Sequence, residues 1–226
     1  SSTNSKAKIL AKKDLDKVII IADKQTSGKG RFKRKWVSSI GGLYMTILLK
    51  EKDLSRVKYL TFIASIAVAK TIRKFKLNAK VKWPNDVLID DKKICGILTE
   101  TISGKKNYAL IGIGLNVNQK KFNKEISNKA TSLKTETNKN YDISNILESI
   151  IKEFNNLYQH YNKKNYNRII GIWKRYSHTL GKKIKAETLS GTYVGKAVGV
   201  YKDCSLLLKL ENGKVKKIIE GDIFTV

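Results

Sequence analysis

Apolar residues fall along this chain in two textures. Up to about Arg175, short β-branched runs alternate with longer stripes of helical period; beyond it, short runs are broken by glycine. Lys17–Ala22 (KVIIIA) and Leu43–Leu49 (LYMTILL) are compact runs bounded by polar residues, the pattern of buried strands. Val57, Leu60, Ala64, Ala67, Val68 and Ile72 recur at helical spacing and predict a helix from about Leu54 to Phe75. Lys80–Trp83 reads as a strand that Pro84 ends or places at an edge. Val87–Ile89 and Lys93–Thr101 flank Asp90–Asp91 as a hairpin, and Tyr108–Val117 is a further apolar strand. Asn118–Asn140, rich in Lys, Asn and Thr, is expected to be a long loop. Ile146, Ile150, Phe154, Leu157 and Tyr161 share one stripe of a helix over Ile143–Tyr161, and a second helix covers Tyr166–Tyr176.

The remainder is read as short strands: Lys183–Glu187, Thr192–Tyr201, Leu206–Leu210, Val215–Ile219 and Ile223–Val226. Asn212–Gly213 between two of them is a strong hairpin signal. The expectation is an α+β fold in two units. Residues 1–177 form a mixed sheet with flanking helices, and residues 178–226 a small SH3-like β-barrel. The chain shows no internal repeat.

Composition removes several classes. No apolar run approaches the roughly 18 residues of a membrane span. Ser1–Lys13 lacks the apolar core of a secretory signal. Cys95 and Cys204 form neither a metal spacing nor a disulfide framework, and His160 and His178 stand far apart. A zinc enzyme or a His-centred triad is therefore disfavoured, and a reducing cytoplasm is the expected compartment. The formal net charge of +27 invites a nucleic-acid reading. However, the excess is positive in residues 1–40, 41–170 and 171–226 alike, and it reads mainly as a solvated surface. Only the stretch from Lys29 to Lys35 is denser, with Lys29, Arg31, Lys33, Arg34 and Lys35 interleaved with glycine.

Three clusters carry candidate chemistry. In Gln25–Trp36 (QTSGKGRFKRKW), Gly28 and Gly30 let backbone approach a ligand, and the cations offer donors to carboxylate or phosphate oxygens. Neither a Walker loop nor a GxGxxG fingerprint is present. In Val81–Asp86 (VKWPND), strand alternation puts Val81 and Trp83 on one face and Lys82 on the other, with Asn85 and Asp86 just past the turn. In Ile111–Asn118 (IGIGLNVN), two glycines within a strand imply close approach by a ligand or a neighbouring element, and Asn116 stands at its end. Taken singly, each also fits a plain role: a flexible basic loop, a strand corner, tight sheet packing.

Together these clusters resemble the biotin–protein ligases, also called holocarboxylase synthetases. Ser2-Thr3-Asn4 is similar to the family's N-terminal Ser-Thr-Asn motif, and GKGRFKRKW (28–36) to its GRGRxGRxW loop. KWPND (82–86) is its most specific motif unchanged. KICGILTE (93–100) resembles its K-x-x-G-I-L-x-E strand, and GIGLNVN (112–118) its G-x-G-x-N strand. Two departures stand in the loop. Lys29 replaces the usual first Arg, and Lys33, after Phe32, replaces a Gly.

The resemblance implies a catalytic domain of the class II aminoacyl-tRNA-synthetase and biotin-ligase type, with an SH3-like C-terminal domain. It implies that biotin and Mg²⁺-ATP give biotinyl-5′-AMP, and that biotin then passes to the lysine of a biotin carboxyl carrier domain. By resemblance, Lys82 and Arg31 are catalytic. Ser2, Thr3, Asn4, Gln25, Lys29, Gly30, Arg31 and Lys82 bind biotin, and Arg31, Arg34, Trp36, Asn85 and Asn116 bind nucleotide. Metal ligands stay open between Asp86 and Glu100. The type without a DNA-binding domain is implied, as monomer or homodimer, with no DNA or membrane partner. The alternatives are a lipoate–protein ligase of related fold and, lower, a basic nucleic-acid-binding protein.

Overall fold

The computed structural model describes all of residues 1–226. Its main body is a six-stranded antiparallel sheet in the order β1-β2-β6-β5-β4-β3. The strands are β1 (Val18–Ala22), β2 (Leu43–Glu51), β3 (Lys80–Lys82), β4 (Asp86–Ile89), β5 (Lys92–Ile102) and β6 (Asn107–Leu115). β2 is buried from Leu43 to Leu49 because both of its faces are covered. One face packs on α2 (Val57–Arg73), which is hydrophobic nearly all round and sits between the sheet and the helix pair α4 (Ile143–Asn162) and α5 (Tyr166–Tyr176). Phe62 stacks on Trp173 at this junction, with ring centroids 4.5 Å apart. The opposite face is covered only in part, by α1 (Thr3–Lys12), which packs Ala7 and Ala11 on Leu48, Tyr108 and Leu110.

Helix α1 is not among the expected elements. Its apolar residues are few, and its first turn buries polar Thr3 and Asn4, so no hydrophobic stripe marks it. Ser2 caps it by accepting from the Ser5 N–H. A second unexpected helix, α3 (Leu133–Thr137), lies in the stretch expected to be loop, capped by Ser132.

The second sheet runs β10-β9-β8-β7-β11, all antiparallel. Its strands are β7 (Lys183–Thr188), β8 (Gly191–Val200), β9 (Leu206–Leu210), β10 (Val215–Ile218) and β11 (Asp222–Thr225). Asn212–Gly213 turns β9 into β10, with Gly213 at φ +79°. The expected barrel is an open sheet here: β10 pairs only with β9 and β11 only with β7. Gly221, at φ +146°, makes the corner between them, and a Cβ there would collide with the Glu187 carbonyl.

Trp83 joins the two sheets. It is buried on the face it shares with Val81. Its backbone N–H donates to Thr179 Oγ1 at 2.9 Å, and its indole N–H to the Cys204 carbonyl at 2.9 Å. The hydrophobic core is continuous across this joint. No helix is long and apolar enough to cross a membrane.

Candidate active site

The register of the main sheet makes a trough. Tyr44, Gly114 and Gly96 align across β2, β6 and β5, and so do Thr46, Gly112 and Leu98. Gly96, Gly112 and Gly114, on the face at and beyond the N-terminus of α1, lower the floor there. Two side chains use the space. A Cβ on Gly112 would collide with Asn4 Oδ1, and one on Gly114 with Trp36 Nε1. The G-x-G pattern therefore answers to both packing and a cavity.

The cavity over this floor has a volume of about 510 Å³. Eleven of the expected site residues line it: Ser2, Thr3, Asn4, Gln25, Lys29, Gly30, Arg31, Arg34, Trp36, Asn85 and Asn116. Lys82 does not. It leaves the end of β3 with its ammonium 5.8 Å from the centre of the Phe224 ring, and burial draws its pKa below the usual lysine value.

The N-terminus of α1 forms the polar end. The Thr3 N–H donates to Gln25 Oε1 at 2.9 Å, and Gln25 Nε2 donates to Ser38 Oγ at 2.8 Å. The basic loop continues from Gln25 and forms the adjoining wall. It folds back on itself, with Trp36 N–H donating to the Gly28 carbonyl at 2.9 Å and Gly30 N–H to the Arg34 carbonyl at 2.7 Å. A Cβ on Gly28 would collide with the Trp36 carbonyl, so this glycine is required for closure. At the loop's tip Phe32 and Lys33 have φ of +52° and +59°. Lys33 thus takes the left-handed conformation that the glycine of the resembling motif would enter freely.

Arg31 reaches inward from this loop. Its Nη1 donates to Asn85 Oδ1 at 3.3 Å and to the Gly221 carbonyl at 3.1 Å, and lies 4.0 Å from Asp222. Asn85 is itself held by donating to the Ile97 carbonyl at 2.7 Å. Burial lowers the Arg31 pKa, opposed by Asp222 and Asp86, and its guanidinium stays charged. Arg34 pairs with Asp222, which raises its pKa. Asn116 is buried and donates to the Thr131 carbonyl at 2.9 Å.

Other lining residues had no role on the sequence alone. Lys93 is the main one: its Nζ is 2.7 Å from Asp86 Oδ1 and 5.3 Å from the centre of the Trp36 ring. Its place in the KICGILTE motif was the available signal. Lys121, Phe122, Ile126 and Lys129 come from the stretch expected to be plain loop. The cavity's charged lining is thus Lys29, Arg31, Arg34, Lys35, Lys93, Lys121 and Lys129 against only Asp86 and Asp222. Such a chamber suits a strongly anionic occupant.

No cluster of three or more His, Cys, Asp or Glu side chains could hold a metal alone. Of the two carboxylates left open, Glu100 lies outside the lining, bound to Lys8 and Asn4. Asp86 is in it, and its buried Oδ1 takes no well-aligned hydrogen bond despite the nearby Lys93 ammonium. A single carboxylate could hold a magnesium ion only together with phosphate and water, which supply most of the ligands of Mg²⁺.

Comparison with known proteins follows this geometry. Residues 1–118 match the biotin/lipoate A/B protein ligase family, and residues 179–226 the biotin protein ligase C-terminal domain. The chain is 36% identical over 231 residues to the bifunctional ligase/repressor BirA of Bacillus spizizenii, covering 99% of this chain and 71% of that protein. BirA of Bacillus subtilis gives the same identity and coverage. Among solved structures, the biotin protein ligase of Aquifex aeolicus in complex with biotin and ATP superposes with a TM-score of 0.88 at 29% identity. That match covers 100% of this chain and 96% of the other.

Proposed function

The chain belongs to the biotin/lipoate A/B protein ligase family, and from that premise we propose that it is an ATP-dependent biotin–protein ligase. The observation that carries this reading is one cavity lined by two unlike sets of side chains: polar Ser2, Thr3, Asn4 and Gln25, and cationic Lys29, Arg31 and Lys93. A small acid with a polar head fits the first, and its carboxylate beside a triphosphate fits the second.

In the first step a biotin carboxylate oxygen forms a bond to the α-phosphorus of ATP, and the bond to the β-phosphate oxygen breaks, releasing pyrophosphate. Two anions must meet, so the protein's task is to hold them in line and offset their charge. Lys29 and Arg31 face the carboxylate, and Lys93 and Arg34 face the phosphates. Trp36 and Asn116 bound the nucleotide. Magnesium bound with ATP would neutralise phosphate charge, with Asp86 as its protein ligand. Lys82 keeps its proposed catalytic role from the β3 end, and to reach the reacting oxygens its ammonium would have to leave the Phe224 ring.

In the second step a neutral lysine amine of a biotin carboxyl carrier domain attacks the acyl carbon. AMP leaves with the bonding pair, and the amine's surplus proton goes to solvent. The basic loop, folded back over the cavity, would keep water from the anhydride. The division at residues 177/178 gives this chemistry to the first unit, while the second supplies Gly221 and Asp222 to the loop.

The test is mass spectrometry of a carrier domain incubated with the protein, biotin and Mg²⁺-ATP. The expected result is one biotinyl adduct on one lysine, absent without ATP. An adduct formed from lipoate and not from biotin would contradict the reading.

A further inference from the structure

The outer face of the second sheet has no place in this mechanism, yet it begins at the cavity. Asp222 lines the cavity, and Phe224, two residues along β11, shares its face. Phe224 is 45% exposed, with the Lys82 ammonium 5.8 Å and the Lys185 ammonium 5.4 Å from its ring centre. Lys185 of β7 stands opposite Phe224 on one side and Val194 of β8 on the other. Two residues further along these strands, Lys183, Lys196 and Lys209 stand directly opposite one another across β7, β8 and β9. All three are exposed, and with Glu211 they line a surface hollow of about 490 Å³.

Neighbouring strands lie about 5 Å apart, so the three ammonium groups are held side by side, and like charges placed so repel. Only Lys183 has a carboxylate partner, Glu211 at 3.0 Å. An occupant that brings carboxylates relieves the repulsion. Exposed Val194 and Val215 border the row, which suits contact with a folded protein. The row carries no aromatic ring on which bases could stack, and its cations are all lysine, so it fits the carboxylates of a protein surface better than a nucleic-acid strand. Its place also matters. Lys183 lies four residues, about 13 Å, along β7 from Glu187, the partner of Asp222. A standard interface takes about 800 Å² from each partner, a patch roughly 30 Å across, so a protein seated over the cavity also covers the row.

We propose that the outer face of the second sheet, centred on Lys183, Lys196 and Lys209, docks the carrier domain through an acidic face of that domain while its acceptor lysine enters the cavity. The proposal rests on the function given above and names the surface that holds the protein substrate. Docking there sets the affinity for the carrier and leaves adenylate formation alone, because none of the three lysines lines the cavity.

Steady-state transfer of biotin to a purified carrier domain, beside pyrophosphate release without carrier, tests it. Lys196→Glu is expected to raise KM for the carrier roughly tenfold, the effect of setting like charges across an interface, with pyrophosphate release held within about twofold of wild type. Because it sets a carboxylate between two lysines, this variant is expected to melt at or above the wild-type temperature. Lys196→Gln with Lys209→Gln removes charge without reversing it and is expected to raise the same KM about threefold. Lys152→Glu makes the same charge change on exposed surface of α4, and its KM for the carrier is expected to stay within about twofold of wild type. An unchanged KM for the carrier in the Lys196 variants, an equal rise with Lys152→Glu, or an equal loss of pyrophosphate release would overturn the proposal. If that KM is unchanged and the same variants lose binding to a single-stranded oligonucleotide, the face belongs to nucleic acid instead. A wild-type protein that leaves the carrier unmodified would overturn the function on which the proposal rests.

Discussion

Lys93 and Lys82 differ by where their ammonium groups end. Lys93 enters the cavity beside Asp86 and Trp36, while Lys82 rests on Phe224 outside its wall. Lys93→Ala and Arg31→Ala are each expected to slow pyrophosphate release about a hundredfold or more, the usual cost of a charge-stabilising group, without lowering the melting temperature. Lys82→Ala is expected to lose adenylate synthesis by a similar margin while it folds normally. Near-normal release by that variant would remove Lys82 from the mechanism. At this scale the sequence was most readable where a motif was long. KWPND and the basic loop named Arg31, Asn85 and Trp36, and all three line the cavity. Lys93 drew no role because its motif, KICGILTE, marked the strand but not which of its side chains meets the cavity.

The glycine rows are the element-scale counterpart. Gly112 and Gly114 make room for Asn4 and Trp36 on the floor of the trough. Gly114→Ala is expected to force the indole off β6 and to raise KM for ATP and biotin together, with the far-ultraviolet circular dichroism unchanged. Unaltered kinetics would show that the glycine serves sheet packing alone. Helices α2, α4 and α5 were legible because burial imposes a helical period on their sequences, and strands β1, β2 and β6 because each is a compact apolar run. Helix α1 was not, because its buried first turn is made of Ser2, Thr3 and Asn4, polar residues placed for contact with the cavity and its supporting network. Helix α3 was hidden likewise by its length of five residues.

For the whole molecule the question is how the second sheet serves a site on the first. Arg34 and Arg31 of the loop meet Asp222 and the Gly221 carbonyl across the joint. Asp222→Asn is expected to free the loop in the ligand-free protein, so that trypsin cleaves between Lys29 and Lys35 a few times faster. The gain is modest because Arg34 is 63% exposed and such pairs contribute about 1 kcal/mol or less. Biotin with ATP is expected to restore protection, and cleavage at the wild-type rate would show that the pair does not hold the loop. The positive surface has its own consequence: raising salt is expected to slow transfer to the carrier domain more than it slows pyrophosphate release, since steering of a protein partner is screened over a Debye length. Equal salt dependence of the two steps would count against steering. The central claim concerns the first step, and one measurement bears on it most directly: pyrophosphate release from Mg²⁺-ATP with biotin or lipoate as the only added acid. The account predicts release with biotin and none above background with lipoate; release with lipoate alone, or with neither acid, would contradict it.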